Sequence, residues 1–81
     1  MSSREPTEIM VALHVDRGTG PVLVSTDGDT KNGKWIARKL IASLHKTGKT
    51  TRGTDRDGQR VILPIANLTV PEWLAIKEGL I

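Results

Sequence analysis

Ile9, Val11, Leu13 and Val15 fall two residues apart near the start of the chain, with Met10, Ala12 and His14 between them. In a strand the two sets point to opposite faces, so residues 8–15 are predicted to form one. Asp16-Arg17-Gly18-Thr19-Gly20 is rich in turn formers and Pro21-Val22-Leu23-Val24-Ser25 follows, which together read as a hairpin. Asp27 to Gly33 is a further turn, long enough to be a mobile loop. Between 34 and 45 two periodicities compete. Trp35, Ile36, Leu40, Ile41 and Leu44 fit a helical stripe, but Lys34–Ala37 can also finish a strand, with a helical turn at Arg38–Ile41 and another strand beyond. The second reading is favoured: Gly33 is a weak N-cap, and no acidic residue occupies the first turn.

From Lys46 to Arg60 there is no apolar side chain, so this stretch is a long exposed loop or a thin solvated hairpin. Asp57-Gly58 is a two-residue hairpin signal, which predicts Thr50–Asp55 pairing loosely with Gln59–Pro64. Pro64 inside the apolar run Arg60–Ile65 argues for an edge position or a bulge. At the C-terminus, Thr69-Val70-Pro71-Glu72 matches a capping box, and Leu68 and Trp73 stand where a hydrophobic staple would be. Gly79 sits where a left-handed residue closes a helix, and Leu80 can fold back on Leu74. A helix over 70–78 is expected, too short to hold alone and so packed on the sheet through Trp73, Leu74 and Ile76 or the stem of Lys77.

These elements give one domain over 8–81 behind a flexible leader at 1–7. Its class is α+β and mostly β: a small, strongly bent antiparallel sheet or barrel of four to six strands with one C-terminal helix. Eighty-one residues can bury only roughly 60–65% of the unfolded surface, which leaves little core for a deep pocket. There is no Cys, so neither disulfides nor a thiolate metal site reinforces the fold, which suits a reducing cytosol. No apolar run approaches the roughly 18–20 residues that cross a bilayer. With two Trp and no other aromatic residue, each Trp is expected to anchor a large share of the core.

Charge changes the picture more than composition does. Nine of the twelve basic residues lie between 31 and 60, opposed only by Asp55 and Asp57. That segment carries +7 in a chain of net charge +3, which leaves the rest at −4. A solvated, solubilising loop would explain it. So would a surface facing phosphates or an acidic partner, because Gly and Thr between the cations let amides and hydroxyls approach phosphates. Stacking aromatics are scarce there, Trp35 being the one in the basic region.

Other motifs fall short. Thr47-Gly48-Lys49-Thr50 resembles the end of a phosphate-binding loop, but Ser43 stands where the first Gly belongs and no long helix follows. Asp27-Gly28-Asp29 as a calcium loop would need Gly at Asn32 and Glu at Arg38; Asp55-Arg56-Asp57-Gly58 has its Gly misplaced. Both are read as turns. His14 and His45 have no partner at ligand spacing, His14 being read as a strand residue on a solvent or half-buried face and His45 as a loop-edge residue. No nucleophile sits in a recognisable turn, so no catalytic, cofactor or metal site is assigned and the chain is read as a non-enzyme.

Lys34-Trp35-Ile36, Leu40-Ile41-Ala42-Ser43, Leu68 to Ala75 and the ending Gly79-Leu80-Ile81 together resemble a group of short phage and prophage proteins. Those carry a Trp-Ile-Pro-Lys-Ser-like segment and end in a Glu-Trp-Leu-Ala…Gly-Leu helix. This chain departs from them at Ala37, where Pro is usual, and in its basic insertion between Thr47 and Arg60. The resemblance implies a mobile-element origin and a small β-rich fold with Trp35 and Trp73 as core anchors; it carries over no catalytic residue.

The functional expectation is a non-catalytic accessory protein in a bacterial cytoplasm. It would bind nucleic acid, DNA or RNA, or a host nucleoprotein complex through Lys34, Arg38, Lys39, Lys46, Lys49, Arg52, Arg56 and Arg60, mostly at phosphates. One alternative is an inhibitor docking on a host defence complex, as anti-CRISPR proteins do. The other is a small oligomeric structural component that pairs through an exposed strand edge.

Overall fold

A computed structural model of the protein describes residues 5–55 and 57–81. Five strands form one antiparallel sheet: β1 (Pro6–Val15), β2 (Val22–Ser25), β3 (Lys34–Ile36), β4 (Ser43–Thr54) and β5 (Arg60–Pro71), in spatial order β3-β2-β1-β5-β4. Helix α1 (Glu72–Lys77) follows β5 directly, and single 3₁₀ turns lie at Thr30–Asn32 and Arg38–Leu40. Of the two readings of 34–45, strand, turn and strand is the one observed. No helix among the described residues is long and apolar enough to cross a membrane.

The alternation in β1 builds the core. Ile9, Val11 and Leu13 are buried on one face, with Leu68 opposite Ile9 and Ala66 opposite Val11 on β5. Val22, Val24, Ile36 and Val70 join them from the sheet; Leu74, Ala75 and Leu80 cover them from the helix end. Leu40, Ile41 and Leu44 pack at the margin.

Pro64 marks where β5 changes partners. Its pairing with β1 ends at Ile65, opposite Ala12, and β4 slips register between Lys46, opposite Ala66, and Thr50, opposite Pro64. Gly48, at φ +83°, supplies the left-handed residue of this bulge, and the Thr47 hydroxyl donates to the Ile65 carbonyl at 2.9 Å. An edge position or a bulge is expected at Pro64; the bulge lies in the partner strand β4, and Pro64 stands where β5 has lost β1 and become an edge.

Beyond it, the β4–β5 hairpin curls over the second face of β1 and β2. Thr54 forms a parallel bridge to Asp29, and its amide donates to the Gly28 carbonyl at 3.0 Å. Leu63, Leu23, Ala12 and Ser25 are consequently buried on the face that simple alternation would leave wet. The sheet is strongly bent but stays open, so of sheet and barrel it is the sheet.

Several expectations are corrected. Thr69 is not a helix cap: it is a ladder residue opposite Glu8 and Ser43, and its carbonyl accepts from the Ala42 amide at 2.9 Å. Strand pairing on both sides satisfies the groups that a capping box would have served, so the helix starts at Glu72 with Pro71 before it and no side-chain cap. Its C-terminus is as expected: Gly79 is at φ +70°, and the amides of Gly79 and Leu80 close a Schellman motif on Ile76 and Ala75. Neither Trp anchors the core. Trp35 is 49% exposed on an edge strand, and Trp73 is 37% exposed one position away from the buried helix face of Leu74 and Ala75; Ile76 is exposed too. Pro6 and Thr7, assigned to a leader, already pair with Pro71 and Val70, and the Glu5 carbonyl accepts from the Glu72 amide at 2.9 Å; residues 1–4 lie outside the described residues. The hairpin closes on Asp55 and Gln59 rather than on a two-residue Asp57-Gly58 turn, with Gly58 at φ +80°.

The curl has a steric condition. A β-carbon on Gly53 would fall on the Gly28 carbonyl oxygen and 2.5 Å from Leu63 Cδ1. Gly53→Ala is therefore expected to cost about 1–3 kcal/mol, as overpacking does, and to lower the melting temperature by roughly 5–20 °C in a domain this small. Thermal melts by circular dichroism check it, and an unchanged melting temperature would mean the two backbones are not held together.

Candidate functional site

The basic residues separate into groups with different environments. Arg38 is spent on structure: Nη2 lies 2.6 Å from Asp16 Oδ1, and Nε donates to the Gly20 carbonyl at 3.0 Å. This is the one ion pair among the described residues. The Gly18 amide and the Arg38 guanidinium hold the Asp16 carboxyl below the usual carboxylate range. Lys39 is exposed on the second 3₁₀ turn. Lys34 is exposed on β3, close in sequence to Lys31 and bordering a cleft beside the end of α1.

The hairpin holds the largest group. Lys46 stands opposite Ala66, Arg52 opposite Ile62, and Arg60 opposite Thr54. Residues 60 and 62 of β5 share a face by strand parity, so Arg52 and Arg60 share that outer face, whereas Ala66, opposite Lys46, is buried in the core. Lys49 lies beside them in the bulge. All four are exposed, and none forms an ion pair among the described residues. Ile62, 65% exposed, stands in their midst. Arg56 falls outside the described residues. A shallow groove where the hairpin meets the loop after β2 is lined by Arg52 and Arg60 together with Asp27 and Asp29. Its formal charges cancel, although no ion pair forms across it among the described residues.

Asp27 and Asp29 build the turn. Asp27 accepts from the Asp29 amide at 2.9 Å and from Asn32 Nδ2 at 2.6 Å, bonds that lower its carboxyl pKa. Asp29 accepts from the Lys31 amide at 2.9 Å and the Thr54 hydroxyl at 3.0 Å. The segment read as a loop is thus bonded to itself and to the hairpin. Thr47–Thr50 forms the bulge, with the Lys49 amide committed to the Thr47 hydroxyl at 3.2 Å. No cluster of three His, Asp or Glu side chains suited to a metal occurs among the described residues. His45 is an exposed residue of β4, within the strand rather than at a loop edge.

His14 is the polar centre that sequence reading missed. Ser25 Oγ is 2.7 Å from His14 Nε2, and Thr30 Oγ1 is 3.1 Å from Nδ1. Thr30 spends its single hydroxyl proton on the Thr54 carbonyl, so it accepts from Nδ1–H. Nε2 then accepts from the Ser25 hydroxyl, whose oxygen takes the Gly28 amide at 2.9 Å. One directed chain thus joins β1, β2, the loop and the end of β4. Ser25 is 1% exposed and fully bonded, which makes the pair a clasp rather than a nucleophile and base. Partners at 11 and 16 residues' separation left no local signal in the sequence.

No protein-family model, curated protein or solved structure matches the chain. Its architecture therefore describes it: an open five-stranded sheet whose long hairpin is clasped over one face and presents cations on the other.

Burial depresses the pKa of His14 below 6.5, partly countered by Asp27 and Asp29. Above pH 6.5 the ring is neutral in both folded and unfolded chains, and the clasp contributes in full. Below that value the unfolded chain binds the proton more readily, so stability falls until the folded pKa is reached. Melting temperature is expected to drop between pH 7.5 and 5, the drop vanishing in His14→Gln and persisting in His45→Gln. At pH 7.5 His14→Gln should itself cost about 1–2 kcal/mol, through unsatisfied hydroxyls.

Proposed function

We propose that the protein binds nucleic acid through the outer face of the β4–β5 hairpin, mainly by phosphate contacts. The register of the hairpin carries this reading: it puts Arg52 and Arg60 on one face, with Lys46 and Lys49 exposed further along β4, and no carboxylate is paired to any of the four among the described residues. Cations held on a bonded hairpin lose less conformational freedom on binding than cations on a loose loop. Arg38 drops out of the expected contact set because its guanidinium is already bound to Asp16 and Gly20. We further propose, on the resemblance of its sequence to short phage and prophage proteins, that such a binder is a mobile-element accessory protein acting in a bacterial cytoplasm.

One observation favours a second reading, a protein-directed inhibitor of a host defence complex. Ile62, opposite Arg52 and 65% exposed, has no use against phosphates but suits an apolar notch in an acidic protein groove. Edge-to-edge assembly through β4 is opposed by the bulge and by Lys46 and Lys49, which guard that edge.

Fluorescence anisotropy with labelled single- and double-stranded oligonucleotides over a range of salt tests the first reading. Binding at micromolar concentration or tighter is expected, with log K falling against log salt at a slope of roughly −3 for about four phosphate contacts. Arg52→Ala and Arg60→Ala should each weaken binding and reduce that slope by about one unit, whereas Arg38→Ala leaves the slope unchanged. Absence of binding at low salt, with one bacterial protein co-purifying through an Ile62-dependent contact, would replace this reading with the second.

A further inference from the structure

Trp35 stands on β3 directly opposite Leu23, which is buried, while Trp35 itself is 49% exposed. Next to it lies a groove of about 340 Å³ lined by Leu23, Thr30, Lys31, Gly33 and Trp35. The groove depends on Gly33: a β-carbon there would come within 2.9 Å of Leu23 Cδ1. Leu23 and the indole supply its apolar surface, and Lys31, which also lines it, forms no ion pair among the described residues; Lys34 alternates with Ile36 to the opposite face of β3.

We infer that this groove is a stacking site for a nucleobase of a single-stranded nucleic acid, with Lys31 meeting a flanking phosphate. The inference rests on the nucleic-acid reading above and narrows its substrate to unpaired strands. In a duplex the base faces are stacked on one another; only an unpaired base offers its face to an indole. The groove also lies next to the hairpin. Asp29 lines the hairpin groove and Thr30 the Trp35 groove, and the Thr30 hydroxyl is bonded to Thr54 of β4. A strand held by Arg52 and Arg60 has one loop to cross before a base reaches Trp35. Asp27 and Asp29 at that corner repel phosphate, so the path follows the lysine rim and not the turn itself. An apolar protein side chain would fill the groove as well but gain nothing from the Lys31 ammonium group, which is why a base with its phosphate is the better match.

The test uses the intact chain, an oligothymidine of about 15 nucleotides and a duplex of the same length. In a Trp73→Phe background, where Trp35 is the one remaining tryptophan, the single strand should quench indole fluorescence and the duplex should not. Trp35→Ala should lose about tenfold in single-strand affinity, within the range for one stacked base, with duplex affinity unchanged; Trp35→Phe should retain most of it. Circular dichroism confirms that each variant folds, as an exposed side chain allows. If Trp35→Ala binds the single strand like the parent while Arg52→Ala still weakens binding, the stacking site is refuted and the basic face stands. If the parent binds neither strand at low salt, both fall together.

Discussion

Gly28 and Gly53 meet with no room for a β-carbon between their backbones, and the rest of the architecture hangs on that approach. Past the bulge, β5 no longer pairs with β1, and the distal half of the β4–β5 hairpin is a two-stranded ribbon. Such a ribbon is marginal in water. Pressed onto the loop after β2, it gains the Thr54–Gly28 hydrogen bond, covers Leu23 and Ala12, and buries Leu63. It also shuts the His14 chain away from bulk water, where each link would compete with solvent. The same contact turns the cations of the hairpin outward, because its other face is taken.

How much of this was legible depends on the range of the interaction. Period-two alternation identified β1, turn chemistry the first hairpin, and Pro64 an edge or a bulge; each is a local property, and the sheet follows from them. The C-terminal helix shows how local words mislead. Thr69 and Glu72 have the spacing of a capping box, but Leu68 and Val70 also alternate, and two neighbouring strands offer Thr69 more hydrogen bonds than a helix start does. Tertiary pairing outweighed a local motif. The tryptophans misled for another reason. A large apolar side chain is valuable in a core only where the register points it inward, and in β3 the inward residue is Ile36, while Trp35 alternates to the other face. The site was legible as a charge run but not as a surface: Arg38 leaves the set through an ion pair 22 residues away in sequence, and no spacing rule anticipates it.

Charge segregation along the chain becomes a division of labour in space. The acidic side chains between 16 and 29 are spent on shape: Asp16 secures Arg38, while Asp27 and Asp29 fold the loop that receives the hairpin. Asp27 and Asp29 line one groove with Arg52 and Arg60, but among the described residues no ion pair forms across it. Arg52, Arg60, Lys46 and Lys49 are thus left unpaired among the described residues, an arrangement that costs self-repulsion in the unbound protein.

That self-repulsion bears on what the cations are for. Guarding the free edge of β4 needs one or two lysines and a bulge, and Lys46, Lys49 and Gly48 supply them. Solubility needs charge of either sign, dispersed. Neither requirement accounts for Arg52 and Arg60 sharing a face. Arginine adds a planar fork that matches phosphate and carboxylate oxygens in pairs, which a guard or a solubiliser does not use. A like-charged pair of forks on a stiff, outward-facing ribbon is a cost in the free protein that an anionic partner removes. The same logic extends to Trp35, whose exposure costs hydrophobic free energy until something flat covers it.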